Sequence, residues 1–376
     1  GVKSTEVVDK YTVKVTLAES STPFLRNMAM CFAAPIVSPT ALKKHNNNLM
    51  ENPAGTGPYK LVAWDKGQQL ILTTNEDYWG AKPPVQNVIY RIMKETSARV
   101  VALNNGEADI INGIDANVID QIKQGGNVVF ESEGNNTNYM VYNCRDGYLT
   151  QDLAVRKAIS QAINVPEMVE SLYKGYATYA PSYFPTFMAG YDPNLKGAEY
   201  NPEAAKKFFA EKGIKELTIL AYSNSRIYNT VGGQVLAEAV QAYLAKVGVK
   251  AKIDVYDWST FKSKLLTDKW DLTFVGWIGD NGDPDNFINI FSSSDPISNQ
   301  GLWVNEEFNT LIKDATHVAD GENRVKLYKR AAEILNEDLP ILTISHAKTL
   351  AAHRPNISGK FTHPIGLQFF NLVEKK

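Results

Sequence analysis

The stretch VGWIGDNGDPDNFI, from Val275 to Ile288, places a group of acidic and amide side chains directly behind a strand-like run. The carboxylates and amides in it are Asp280, Asn281, Asp283, Asp285 and Asn286. Carboxylates at a strand end can hold a metal ion, act as acid and base in catalysis, or receive a cation that arrives with a ligand. The remaining sequence discriminates among these three kinds of chemistry.

A metal site is the first alternative, and the spacing argues against it. The segment lacks the glycine at the sixth position and the glutamate at the twelfth that a calcium-binding loop needs, and Pro284 interrupts the pattern. Cys31 and Cys144 form no CxxC pair and have no histidine nearby, which excludes zinc and thioredoxin sites and favours two buried free thiols. We expect neither a metal ion nor a cofactor.

Catalysis is the second alternative. The sequence has no nucleophile elbow, no phosphate-binding loop and no dinucleotide fingerprint, and its five histidines stand in no metalloprotease motif. A hydrolase with paired carboxylates stays open, because the spacing of such a pair is set in space and not along the chain. An enzyme is therefore not the favoured interpretation.

Length and composition define the class of protein. A chain of 376 residues is too long for one ordinary core, so two domains are expected, and 44% hydrophobic with 21% charged residues is typical of a globular protein. The net charge of -2 gives no reason to expect binding to nucleic acid. The longest apolar runs fall far short of a membrane span.

The order of elements changes near Thr137, from a β-rich opening to alternating strands and helices. A helix is predicted from Asp152 to Lys174, and another is bracketed by Asn201 as its cap and Gly213 just past its end. Strands, helices and strands then alternate over 217–222, 235–247, 249–255, 258–267 and 271–277, followed by a helix at 322–336 and a strand at 339–345. This order predicts an α/β fold with a parallel or mixed sheet.

Three side chains follow the ends of successive strands in that region. Arg226 follows the first strand, Trp258 the second and Asp280 the third. Because ligands of open α/β sheets bind beyond the carboxyl ends of the strands, a cation, an aromatic face and an anion should lie at one edge. Such a set suits a zwitterion, with an ammonium at Asp280 and a carboxylate at Arg226. We expect Asp283 and Asp285 to make turn and helix-cap bonds instead.

Five segments spread over the chain resemble the family-five solute-binding proteins, which deliver dipeptides, oligopeptides or nickel to ABC importers. The segments are NPAGTGPYKLVAWDKGQQLILTTNEDYWG, AVRKAISQAIN, YNPEAAKKFFAEKG, LAEAVQAYLAKVGVKAKIDVYDW and GWIGDNGDPDNF. The last, together with SRIYN, is most similar to the dipeptide-binding members. Within this family the aspartate of Gly-Trp-x-x-Asp takes the α-amino group of a peptide, and the arginine before x-Tyr-Asn takes its α-carboxylate.

The resemblance assigns these roles to Asp280 and Arg226. It also implies that the backbone of Gly276 and the ring of Trp277 flank the peptide and that Trp258 lines a pocket. A fold with two lobes and a hinge follows, with residues 1–139 and 345–376 in a β-rich first domain and 140–344 in an α/β second domain. The amino-terminal portion of the family has no counterpart before Gly1, so that first domain is expected to be incomplete at its amino end.

The resulting expectation is a non-enzymatic receptor that binds a dipeptide or short oligopeptide in a cleft between lobes and delivers it to an ABC-type permease. It should act outside the cytoplasm, in the periplasm or anchored by a lipid at the cell surface, as a monomer. The alternative is a receptor for a non-peptide such as chelated nickel, or a ligand-sensing domain of the same fold. The pair of Asp280 and Arg226 favours a peptide, because a metal chelate offers no free ammonium.

Overall fold

The computed structural model describes residues 1–30, 32–360 and 362–376. Its strands are β1 (Val2–Val7), β2 (Val13–Leu17), β3 (Tyr59–Asp65), β4 (Gln69–Thr74), β5 (Asn87–Arg91), β6 (Ile110–Asn112), β7 (Val128–Ser132), β8 (Asn136–Tyr142), β9 (Ala177–Tyr179), β10 (Glu216–Tyr222), β11 (Lys250–Tyr256), β12 (Leu272–Ile278), β13 (Ile341–Ala347), β14 (Thr349–His353), β15 (Ile357–Ser358) and β16 (Glu374–Lys375). Its helices are α1 (Phe24–Met28), α2 (Pro39–Lys44), α3 (Thr96–Asn104), α4 (Ile119–Gln124), α5 (Leu153–Ala162), α6 (Val165–Tyr173), α7 (Pro202–Lys212), α8 (Gly233–Lys246), α9 (Trp258–Thr267), α10 (Pro284–Ile288), α11 (Glu306–His317) and α12 (Glu322–Asp338).

The larger of two compact units comprises Gly1–Ala33 and Asn135–Ala347. Its main sheet has the strand order β11-β10-β12-β8-β13-β9. Strands β11, β10 and β12 run parallel, whereas β8 pairs antiparallel with both β12 and β13. The predicted α/β class with a mixed sheet is therefore confirmed.

Strand β8 is buried along its whole length because it lies between two other strands and under helices. Tyr139, Met140 and Tyr142 belong to the hydrophobic core of this unit, together with residues of α5, α6, α8 and α12. A strand covered on both faces has no solvent-exposed face, which is why its second half, Tyr139 to Tyr142, shows no alternation of apolar and polar residues.

The smaller unit comprises Ala34–Gly134 and Lys348–Lys376. It contains the sheets β3-β4-β5, β6-β14-β7 and β15-β16. A hairpin at Gly67 joins β3 to β4, and the backbone of Gly67 has the positive φ of 80° that glycine tolerates at such a turn.

Residues 1–33 belong to the larger unit, in contrast to their predicted place in the first domain. Their side chains explain the difference. Arg26 bonds to Asp283 and Asp320, and Thr22 donates to the carbonyl of Val318. The other predicted boundaries, at 139/140 and 344/345, lie within strands; the units change instead at 134/135 and 347/348, because β8 and β13 pair with each other inside one sheet.

Helix α7 begins and ends where the sequence predicts, with Asn201 accepting a hydrogen bond from the Ala204 N–H and Gly213 in the left-handed conformation. The single helix predicted from Asp152 to Lys174 is wrong. The chain forms α5 and α6, because the Asn164 side chain caps a new helix by accepting from the Glu167 N–H. Pro166 then occupies the first turn of α6, where its missing N–H costs nothing.

A buried ion pair fixes α10 to α12. Asp283 has no exposed surface, and its carboxylate accepts from Arg324 Nη2 at 2.8 Å and Nη1 at 2.9 Å. Arg26 adds a third bond at 2.7 Å, and the Asp285 N–H a fourth as Asp283 caps α10. The helix cap predicted for Asp283 is thus confirmed, and the arginine pairing was not foreseen.

Replacing Asp283 with alanine should lower the free energy of unfolding by about 3–5 kcal/mol, because the buried Arg324 would lose its buried bidentate partner and keep only the exposed Asp320. Asp320→Ala is the matched control. That carboxylate also pairs with both arginines but its side chain is 56% exposed, so its loss should cost at most about 1 kcal/mol. Urea unfolding of the three proteins, followed by circular dichroism, measures the difference. Equal losses for the two variants would contradict a stabilising role of the buried pair.

His346 should make the stability of the fold depend on pH. It is buried on β13, its Nδ1 lies 2.9 Å from the Asn136 carbonyl oxygen, and no described residue bonds to its Nε2. Burial lowers the pKa of His346 from 6.5 to about 4. The unfolded chain therefore binds this proton more strongly, and stability that is present above about pH 6.5 should be lost as the pH falls toward 4.

Between pH 6.5 and 4, wild type should lose stability with a slope up to about 1.4 kcal/mol per pH unit steeper than that of His346→Gln. Urea unfolding at half-unit pH steps measures both slopes. Parallel slopes would show that His346 takes up no proton on unfolding.

Candidate functional site

The predicted convergence of three strand ends rests on the order of strands in the larger unit. Strand β10 pairs in parallel with β11 on one side and β12 on the other, so their carboxyl ends share one edge. Trp258 follows β11, Arg226 follows β10 and Asp280 follows β12. Arg226 thus lies in the loop that follows β10, the central strand of the three.

Arg226 and Trp258 contact each other directly. The guanidinium carbon of Arg226 lies 4.0 Å from the centroid of the Trp258 ring, within the range of a cation–π contact. Trp258 opens α9 and its ring is held by Tyr222 and Phe261, at centroid distances of 5.3 Å and 5.4 Å. Contact with a ring face uses no N–H donor, and a guanidinium has five, so donors remain for a carboxylate beside the hydrogen bond of Arg226 to the Tyr228 hydroxyl.

The loop that carries Arg226 is held in place by hydrogen bonds to buried residues. Its backbone N–H and carbonyl exchange hydrogen bonds with Asn229, closing a tight turn. The fully buried Asn229 side chain donates to the Tyr222 hydroxyl and accepts from the Tyr173 hydroxyl, each at 2.8 Å. Asn138 on β8 donates to the same Tyr173 hydroxyl at 3.0 Å. The position of Arg226 is therefore fixed by a buried polar network that reaches the middle of the sheet.

Gly276 lies under the ring of Tyr228. A Cβ atom at position 276 would stand 2.3 Å from the Tyr228 ring and 2.6 Å from the Thr137 carbonyl oxygen, which is impossible without movement. Burial raises the pKa of Tyr228 to about 12, and the neighbouring positive charge of Arg226 acts in the opposite direction. The glycine thus lets the loop of Arg226 lie directly on β12.

Asp280 and Trp277 share one partner, Asn286 on α10. The Asn286 amide oxygen accepts from the Asp280 N–H at 2.9 Å and from Trp277 Nε1 at 3.2 Å. The Asn286 amide nitrogen donates to Asp280 Oδ2 at 3.1 Å. One side chain therefore orients both the carboxylate and the indole.

The three carboxylates of the segment have different environments. Asp283 is neutralised by two arginines, whereas Asp280 has no ion pair among the described residues. Burial raises the pKa of Asp285 to about 6, with the charge of Asp283 as a second cause. A turn or helix-cap bond was predicted for Asp285, but Asp283 caps the helix. The Asp285 carboxylate accepts a hydrogen bond from the Asn289 side chain at 3.3 Å.

Opposite charges thus stand at one edge without neutralising each other. No hydrogen bond or ion pair joins Arg226 to Asp280 in the described part of the chain, and no carboxylate there pairs with Arg226. The arrangement can accept an ammonium at one point and donate to a carboxylate at another.

The sequence did not identify Asn286, Tyr228 and Asn229 as parts of this site. Asn286 belongs to the motif, but nothing in the spacing shows which way its amide faces. Tyr228 and Asn229 belong to the SRIYN segment with Arg226, and the resemblance of that segment to the family was the available signal.

Other chemistry finds little support in the described ranges. They contain no cluster of three or more histidine, cysteine, aspartate or glutamate residues suited to a metal ion. Cys144 is a free thiol whose pKa burial raises to about 11, while Cys31 lies outside the described residues. Within those ranges, every helix is too short or too polar to cross a bilayer.

Comparison with known proteins assigns the chain to a family. The family model of bacterial extracellular solute-binding proteins, family 5, matches residues 1–299. The dipeptide-binding protein of Escherichia coli strain K12 is 31% identical over 99% of this chain and 71% of its own length.

Solved structures agree with that assignment. A periplasmic binding protein, DppA of Helicobacter pylori in complex with the peptide STSA, superposes with a TM-score of 0.86 at 30% identity, over the whole of this chain and 74% of that one. A dipeptide-binding protein of Pseudoalteromonas sp. SM9913 in complex with Met-Leu gives a TM-score of 0.87 at 27% identity, over the whole of this chain and 76% of that one. This chain belongs to the family-5 bacterial extracellular solute-binding proteins.

Proposed function

We propose that this protein binds short peptides with free termini and delivers them, outside the cytoplasm, to an ABC-type permease. Asp280 receives the α-ammonium group of the peptide and Arg226 its α-carboxylate. The observation that carries the proposal is the pair of opposite charges at one sheet edge, neither of which is neutralised by another described residue. Relatives that bind peptides support the same class of ligand.

The energetics favour end-group recognition. A hydrogen bond to a charged group contributes about 1.5–3 kcal/mol. An ammonium and a carboxylate on one ligand satisfy both protein charges at once. The half-buried indole of Trp277 offers a surface without charge for the chain between the termini. Trp258 instead packs against Arg226 and Phe261, and the Tyr228 ring covers Gly276, so these two residues support the site from behind. Binding of this kind needs no bond to be made or broken, so the protein acts as a receptor.

The alternative of chelated nickel uses the site less well. A nickel chelate has no free ammonium for Asp280, so it offers that carboxylate no hydrogen bond from an ammonium group. A mixture of nickel and free histidine therefore serves as the comparison ligand in the peptide titrations below.

Replacing Asp280 with asparagine should weaken binding of an amine-bearing dipeptide about ten- to a hundredfold, the loss of a charge-assisted hydrogen bond. The N-acetylated form of the same dipeptide should bind wild type poorly, because it leaves the Asp280 carboxylate without a cation. Isothermal titration calorimetry measures both affinities. Asp314→Asn, on an exposed position of α11, is the matched control and should bind like wild type.

Equal affinity of wild type for the free and the acetylated dipeptide would remove Asp280 from ligand recognition. Stronger binding of the nickel–histidine mixture than of any peptide would replace the proposed ligand class.

Arg226 should set the length of the ligand. An extended peptide spans about 3.3–3.6 Å per residue, so one added residue moves the carboxylate by a full step away from the guanidinium. Di-, tri- and tetrapeptides of one composition should therefore differ in affinity for wild type, and Arg226→Ala should bind them all weakly with a smaller difference. C-terminal amidation of the preferred peptide should lower its affinity for wild type and change its affinity for Arg226→Ala little. Calorimetry that finds the same length preference in wild type and variant would make Arg226 a loop charge without a role in binding.

A further inference from the structure

The geometry around α10 points to a positioning residue that the sequence motif hides. We propose that Asn286 fixes the orientation of the Asp280 carboxylate for a ligand ammonium and locks it to the indole of Trp277. The inference rests on the proposed function for the identity of the ligand group. The contacts themselves belong to the protein alone.

The orientation of the Asn286 amide follows from its partners. The Asp280 N–H and Trp277 Nε1–H are donors only, so the amide oxygen must face both of them. The NH₂ group then points to Asp280 Oδ2, at 3.1 Å. Turning the amide by 180° would oppose donors to donors and would set its oxygen against the carboxylate. All three bonds therefore select one rotamer and one orientation of Asn286.

The chemical type of Asn286 suits a carboxylate that must keep its charge. An arginine or lysine at this place would orient Asp280 but also neutralise it, as Arg324 does for Asp283. A neutral amide donor holds Oδ2 and leaves the full negative charge, with Oδ1 available, for an incoming cation. Asn286 therefore orients the carboxylate without competing with the ammonium.

The support behind Asn286 is rigid. Asp283 caps α10 one residue before Pro284 and is pinned by Arg324 and Arg26. The next residue after Asn286, Phe287, is fully buried, and its ring would overlap a Cβ at Gly279 at 2.0 Å. Because Gly279 has no side chain, the end of β12 approaches α10 closely enough for Asp280 and Trp277 to reach the same amide. The position of Asn286 is therefore fixed before any ligand arrives.

A double-mutant cycle measures whether Asn286 acts through Asp280. Asn286→Ala should lower the affinity for an amine-bearing dipeptide about tenfold in the wild-type background, which is the loss expected for one hydrogen bond to a charged group. In the Asp280→Asn background the same change should alter affinity less than about twofold, because the carboxylate that Asn286 orients is gone. Asn289→Ala, an exposed asparagine three residues further along, is the matched control and should leave affinity unchanged.

A second measurement needs no ligand. In ¹⁵N-labelled protein the indole Nε1–H resonance of Trp277, assigned by its absence in Trp277→Phe, should move upfield and exchange faster with water in Asn286→Ala. It should stay in place in Asn289→Ala. Thermal unfolding of all variants establishes that each one is folded.

The inference is overturned if Asn286→Ala binds the dipeptide like wild type or if the Trp277 resonance does not move. It is also overturned if Asn286→Ala lowers the affinity by the same factor in the wild-type and the Asp280→Asn backgrounds. Failure of the proposed function looks different, since wild type then binds no peptide. The indole resonance then still shows whether Asn286 holds Trp277, and an unmoved resonance overturns the inference there too.

Discussion

The buried pair of Asp283 and Arg324 is the interaction on which the site depends. Asp283 begins α10, and a short helix has too few internal hydrogen bonds to hold its own place in the protein. The bidentate contact with Arg324 ties the start of α10 to the long helix α12, and Arg26 adds a bond from the beginning of the chain. From that fixed point, Asn286 and then Asp280 take their positions. A carboxylate that is neutralised inside the protein thus helps to determine where a second, unpaired carboxylate lies.

The segment from Asp280 to Asp285 shows how neighbouring carboxylates acquire different roles. Asp283 forms ion pairs with two arginines, and Asp285 is buried with a raised pKa. The Asp280 carboxylate accepts a hydrogen bond from the neutral amide of Asn286. Chemical identity is the same in all three, so the difference comes from what each carboxylate faces. A residue that retains its charge without a charged partner is the one suited to attract an opposite charge from outside.

Much of the fold was predictable from the sequence because its signals are local. The cap at Asn201, the proline after it and Gly213 fix the ends of α7, and helix α9 begins at Trp258 as predicted. The break between α5 and α6 was missed although Pro166 marks it, because the apolar stripe continues across the break. The place of residues 1–33 could not be predicted, since it depends on the contact of Arg26 with Asp283, 257 residues away. The shared sheet edge of Arg226 and Asp280 was predictable from strand order, whereas the contacts of Asn286 depend on the direction of an amide, which only the structure reveals.

Gly276 and Gly279 have a consequence for how this scaffold can be altered. At both positions the backbone is in contact with an aromatic ring: Gly276 in β12 with Tyr228, and Gly279 just after β12 with Phe287. Any side chain there would push apart the two loops that carry the charged groups, so neither position offers a route to new selectivity by substitution. Trp258 and Trp277 have contacts of their own with Arg226 and Asn286, so a change at either one also alters the support of a charged group. Libraries that aim to retune this protein as a biosensor should therefore leave both glycines untouched.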